Sequence, residues 1–235
     1  MVRAVKRRRW LLAIILSALI LLVLAVTAAI FFPGRDGDPQ PVQPAATTDQ
    51  ALPAGVEYEF VWPDGAARGI DLPREIYIPS SGRRVPLTGI GDLRSEPDED
   101  KVAFLQRVRK EMVAYSDRQT FEACALICSN GEAEYSVRMI TVGAVAHCAI
   151  APICLPGHAT TRQSIHSHCP DRPRLRATMA DEFLSGGSMA RRSYLPRCDP
   201  DSFSSLDMDG WAPGWLAGVR ALYRHDGPHR ITSYE

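Results

Sequence analysis

Two histidines one residue apart, in Ser164-Ile165-His166-Ser167-His168, are the residues of this 235-residue sequence best suited to chemistry. On a strand, residues i and i+2 point to one face, so both imidazoles face the same way. Placed like that they can chelate one metal ion, and nitrogen ligands of this kind suit Zn2+. Thirteen residues after His168 comes Asp181, in Thr178-Met179-Ala180-Asp181. His166, His168 and Asp181 with a water would make an open, catalytic type of zinc site. Hydrolysis there needs a base outside the ligand set. Glu122, an acid inside the otherwise apolar stretch Phe121–Cys128, is the candidate. Each residue has a plainer role as well. His-x-His pairs occur without metal, Thr178-x-x-Asp181 is also the pattern of a helix N-cap, and Glu122 could face solvent from a half-exposed strand.

Taken in this order, the residues resemble the JAMM (MPN-domain) metalloproteases. That family shows Glu in E-x-x-G-x-L-x-G, then His-x-His-Pro, then Ser-x-x-Asp. Glu122-Ala123-Cys124-Ala125-Leu126-Ile127-Cys128-Ser129 matches the first element, Ser164 to Cys169 the second and Thr178 to Asp181 the third, over roughly residues 100–235. Ala125 and Ser129 stand where the family has glycine, Cys169 replaces proline, and Thr178 replaces serine. The resemblance implies that His166, His168 and Asp181 hold zinc, that Glu122 is the general acid/base and that Thr178 steadies the oxyanion. The implied activity is zinc-dependent hydrolysis of a peptide or isopeptide bond, in a protein tail or a cell-wall peptide. A second class uses the same fold without catalysis, as a disulfide-stapled binding or scaffold module of the cell envelope.

The elements that must position these residues are legible in outline. Val102, Leu105, Val108, Met112 and Tyr115 recur at steps of three and four, which predicts an amphipathic helix starting near Asp98 or Asp100. Strands follow at 121–128 and 134–142, separated by Ser129-Asn130-Gly131, then a disulfide-tied loop over 143–163, a strand at 163–168 and a helix from Thr178 to Leu184. Ala221–Tyr223 and Ile231–Tyr234 read as a closing hairpin. Upstream, Tyr58–Trp62 and Glu75–Ile78 read as strands of a small β-rich arm. The order points to an α+β domain. By the resemblance it is an antiparallel sheet flanked by helices, and one transmembrane helix is read upstream of it.

That helix is expected at Trp10–Phe32, 23 residues without a charge behind Lys6-Arg7-Arg8-Arg9. About 20 apolar residues cross a bilayer, and a cationic flank stays inside. The alternative is a signal peptide cleaved near Thr27-Ala28-Ala29. The division expected is a cytoplasmic basic segment (1–9), the membrane helix (10–32), a Pro-rich linker (33–55), the arm (56–95) and the metallo-domain (96–235). This places a single-pass protein in the inner (plasma) membrane with its C-terminal domain periplasmic. Six cysteines, Cys124, Cys128, Cys148, Cys154, Cys169 and Cys198, all follow the membrane segment, and an even number in an oxidising compartment suggests disulfides. Cys124 and Cys128 are too far apart on one strand to bridge each other. Beyond residue 32 the chain carries 22 basic and 27 acidic residues, which argues against nucleic acid as a partner. Asp207-Met208-Asp209-Gly210 is only a fragment of a calcium loop. Trp211 and Trp215 read as a packed surface turn, and His147 and His158 as loop residues.

Overall fold

The computed structural model describes residues 57–67, 70–209, 213–227 and 230–235. The expected membrane segment and linker lie outside these residues. Among the described residues no helix is long and apolar enough to cross a membrane.

Among the described residues, ten strands and three helices make an α+β fold. Strands β1 (Glu59–Val61), β2 (Glu75–Ile78) and β3 (Arg83–Pro86) form a small antiparallel sheet. Strand β4 (Thr88–Arg94) belongs elsewhere. It pairs with β6 (Tyr135–Thr141) at the edge of a seven-stranded sheet, so the β-rich arm ends before residue 88 rather than at 95. The other strands of that sheet are β5 (Cys124–Ser129), β7 (Ala159–His166), β8 (Gly214–Ala217), β9 (Leu222–His225) and β10 (Ile231–Tyr234), in the order β10-β9-β8-β7-β5-β6-β4. All neighbours are antiparallel except β7 and β8. The expected hairpin across Ser129-Asn130-Gly131 is present as β5–β6, and β9–β10 is the expected closing hairpin.

Helix α1 (Lys101–Gln119) covers one face of the large sheet. It starts where the Asp100 side chain accepts from the backbone N–H groups of Val102 and Ala103, at 2.8 and 3.0 Å. It stops at Thr120, whose positive φ of 66° no longer continues the helix. Its buried stripe, Phe104, Leu105, Val108 and Met112, packs on Ala123, Ala125, Ile127, Val137, Ile165, Trp215 and Leu222. Trp215 therefore sits in a buried strand and not in a surface turn. Its strand escapes recognition because Gly214–Ala217 is only four residues long and begins on the glycine of Pro213-Gly214, a turn signal.

Alternation puts Cys124, Leu126 and Cys128 on the opposite face, beneath the irregular segment 142–158. Three disulfides clamp the chain: Cys124–Cys148, Cys128–Cys154 and Cys169–Cys198. No cysteine is free, and Cys124 and Cys128 take different partners, as strand geometry requires. Two bridges staple the long segment to β5. The third closes a loop between β7 and helix α3 (Ser205–Asp209), and that loop contains helix α2 (Met179–Leu184).

Candidate metal centre

The site is built at the end of β7, on the face away from helix α1. His166 ends the strand, opposite Cys124 of β5. Ser167 turns back toward the helix. Its N–H donates to the Ala123 carbonyl (2.9 Å), its hydroxyl accepts from Ala123 N–H (3.0 Å), and it meets the Ser116 hydroxyl of α1 at 2.6 Å. Extended backbone alternates faces, so pinning Ser167 inward turns His166 and His168 together to the other side. His168 lies two residues beyond the strand, yet the two Nε2 atoms stand 3.2 Å apart.

The carboxylate that joins them is Asp207. His166 Nε2 is 3.1 Å from Asp207 Oδ1, and His168 Nε2 is 3.1 Å from Oδ2. Asp207 stands three residues after Ser204 in a second helix-capping pair, Ser204-Ser205-Leu206-Asp207. Ser204 N–H donates to Asp207 Oδ2 (2.6 Å), and Asp207 N–H donates to the Ser204 hydroxyl (3.3 Å). His168 Nδ1–H donates to the Asp199 carbonyl at 3.3 Å, which leaves Nε2 as the ligand nitrogen. Among the described residues, these three side chains are the group that could hold a metal ion.

The donor set fits a small divalent cation. Two imidazole nitrogens and a carboxylate directed at one another repel unless positive charge lies among them. Nitrogens on a tetrahedral ion with bonds of about 2.0–2.1 Å stand about 3.3–3.4 Å apart. The observed separation is close to that. Burial opposes charging His168, but the Asp207 hydrogen bond and the Glu122 charge outweigh it and raise its pKa to about 9. Burial also disfavours the charge of Asp207, yet the two imidazoles hold its carboxyl far below the ordinary range.

Thr178 and Asp181 are placed differently from the expectation. Asp181 is fully buried, and its oxygens accept from the N–H groups of Val145, Ala146 and Thr178, from the Thr178 hydroxyl and from His147 Nδ1, all at 2.8–3.1 Å. The Thr178 hydroxyl in turn caps Asp181 N–H at 3.2 Å. This is the capping box of α2, and it also ties segment 142–158 to that helix. Burial pushes the Asp181 carboxyl up, but His147 and the backbone donors win and keep it below its usual value. Its oxygens are fully engaged, so the structure does not bring Asp181 into the group with the histidines.

Glu122 stands just before β5, its N–H bonded to the Ala144 carbonyl at 2.9 Å. It is 6% exposed rather than solvent-facing, and among the described residues its carboxylate takes no hydrogen bond. Burial is the main reason its pKa rises to about 8. His168 works against that rise, while Asp207 and Asp181 add to it, so Glu122 lies within electrostatic reach of both carboxylates. A cleft of about 430 Å3 is lined by Phe121, the residue before Glu122, with Val85, Tyr115, Val142, Thr178 and Met179, and by none of His166, His168 and Asp207.

Two further residues escape a sequence reading. His225 of β9 points to the His166 face because Ser164, Gly214 and His225 share one register across β7, β8 and β9. It is buried against Phe203, at 4.8 Å between ring centroids, and Phe203 reaches toward His166. His158, expected to be a loop residue in water, has a buried side chain. The cysteines hold no metal, since all six are disulfides. Searches of protein-family models, curated proteins and solved structures find no match to this chain.

Proposed function

We propose that the chain is a membrane-anchored, zinc-dependent peptidase of JAMM-like design, hydrolysing a peptide or isopeptide bond outside the cytoplasm. The observation that carries this is the convergence of His166, His168 and Asp207, with the buried residue Glu122 within electrostatic reach of His168 and Asp207. In this assignment the Ser-x-x-Asp element is Ser204–Asp207, which has the serine that Thr178–Asp181 lacks. His166, His168 and Asp207 would hold Zn2+, which when bound lowers the pKa of water and polarises a carbonyl. Glu122 accepts a proton from the attacking water as its oxygen adds to the scissile carbonyl. It then delivers that proton to the nitrogen as the C–N bond breaks. A carboxylate whose pKa burial raises to about 8 is suited to hold the proton and deliver it to the leaving nitrogen. Thr178, whose hydroxyl donates to Asp181, has no part in it. Three formed disulfides support an oxidising compartment, in line with residues 10–32 as the anchor. A reporter fused after Glu235 and active in the cytoplasm would refute that topology.

Glu122→Gln tests the mechanism on full-length protein loaded with zinc and incubated with a mixed peptide library. The variant should keep its fold and about one zinc per chain, as a three-residue ligand set holds. Hydrolysis should fall about 10²–10⁴-fold, the usual contribution of general acid–base catalysis. Unchanged hydrolysis would eliminate Glu122 as the base. Wild-type protein that takes up no zinc in excess metal would favour the scaffold module instead.

A further inference from the structure

We propose that the arginine-rich loop closed by the Cys169–Cys198 disulfide binds acidic residues of the peptide substrate, an inference that rests on the peptidase function above. Between these cysteines the chain carries six arginines and three acids, while the rest of residues 33–235 carries 16 basic and 24 acidic residues. The positive charge is therefore concentrated in one place on an otherwise acidic body.

The arginines are displayed on a frame. Residues 175–177 and 192–195 run side by side, joined by Ala177 N–H to the Ser193 carbonyl, Arg192 N–H to the Ala177 carbonyl and Leu195 N–H to the Leu175 carbonyl. Arg172 and Arg197 are engaged by Asp117 and Asp171. Arg174, Arg191 and Arg192 are exposed and make no ion pair among the described residues. Arg176 lies over the Tyr194 ring at 4.6 Å and donates to its hydroxyl at 2.7 Å, and Tyr194 is 60% exposed. A stacked guanidinium is held ready to offer its remaining N–H groups to a carboxylate.

Position identifies the ligand. Cys169 follows His168 directly, and Cys198 precedes Asp199, whose carbonyl orients His168. The loop thus begins and ends beside residues of the metal centre, which puts it next to a peptide bound there. Guanidinium groups suit phosphate and carboxylate alike. An anionic bilayer, however, is a broad plane that would also repel the acidic remainder of the domain, whereas the acidic segment of a peptide can meet the loop without meeting that remainder.

The test uses full-length protein in neutral detergent, with fluorescein-labelled oligoglutamate and oligoglutamine as probes in fluorescence anisotropy. Oligoglutamate should bind, and added salt should weaken it. The triple variant Arg174→Gln, Arg191→Gln, Arg192→Gln should bind it roughly tenfold more weakly, the sum of three exposed charge pairs. Arg118→Gln, an exposed change on α1, should bind as wild type does. His166→Ala should also retain binding while losing metal, which separates this surface from the chemistry of the centre. Equal binding of oligoglutamine, an unaffected triple variant, or lost binding in His166→Ala would each overturn the proposal. Capture by phosphatidylglycerol vesicles without oligoglutamate binding would overturn it in favour of a lipid surface.

Discussion

Asp207→Ala should release the metal, whereas Asp181→Asn should leave it bound. Asp207 is one of three converging donors, and two imidazoles alone cannot complete the set. The loss of affinity should exceed the roughly 10–100-fold that follows removal of an outer hydrogen-bond partner. Asp181 has a different task. Its carboxylate, fully buried, collects three backbone N–H groups, a hydroxyl and an imidazole. An amide there keeps one acceptor oxygen but turns an NH2 toward groups that are themselves donors. The cost should be about 1–3 kcal/mol of stability, as for a buried donor left unpaired. Acid should show the same role. Because the folded carboxyl titrates below its unfolded value, its stabilisation is present above about pH 4 and fades as pH falls through the lower folded value. Asp181→Asn should therefore flatten the acid limb of a denaturation profile without altering zinc stoichiometry. Metal lost in Asp181→Asn and retained in Asp207→Ala would reverse the assignment.

Why Asp181 looks like the ligand in the sequence is instructive. The pattern Ser/Thr-x-x-Asp occurs twice after His168, at 178–181 and at 204–207, because it is a helix-capping device before it is anything else. The nearer copy is the natural choice on spacing. The farther copy lies beyond a 29-residue separation that the Cys169–Cys198 disulfide folds back on itself. The pairing of Cys169 with Cys198 was the missing fact, and six cysteines do not disclose their connectivity. Other features follow directly from local pattern. Helix α1 shows in its apolar steps and in Asp100, and the hairpins show in Asn130-Gly131 and Gly227. The facing of His166 and His168 follows from alternation, although His168 lies beyond the strand, since Ser167 preserves the alternation by bonding to Ala123 and Ser116. Strand β8 and the burial of Trp215 are fixed by tertiary pairing with β7 and β9, which no four-residue window contains.

The three disulfides should be nearly equal in stability and unequal in function. Their sequence separations are 24, 26 and 29 residues, so loop-closure entropy assigns each about 3.5 kcal/mol, within roughly 0.2 kcal/mol of one another. Replacing any pair by alanine should lower unfolding free energy by an amount of that order, read by chemical denaturation. Metal affinity should separate them. Cys128–Cys154 fastens the far end of β5, away from His166. Cys124–Cys148 fastens the segment that engages Asp181, which donates nothing to the metal group. Cys169–Cys198 alone joins the residue after His168 to the residue before Asp199, and so holds the Asp199 carbonyl on His168 Nδ1 and brings Ser204–Asp207 to the imidazoles. Removing it should weaken zinc binding by about 10–100-fold, the cost of losing an orienting partner, while the other two double variants should bind zinc nearly as wild type does. Equal losses of affinity in all three variants would mean that general loosening, not this bridge, governs the site.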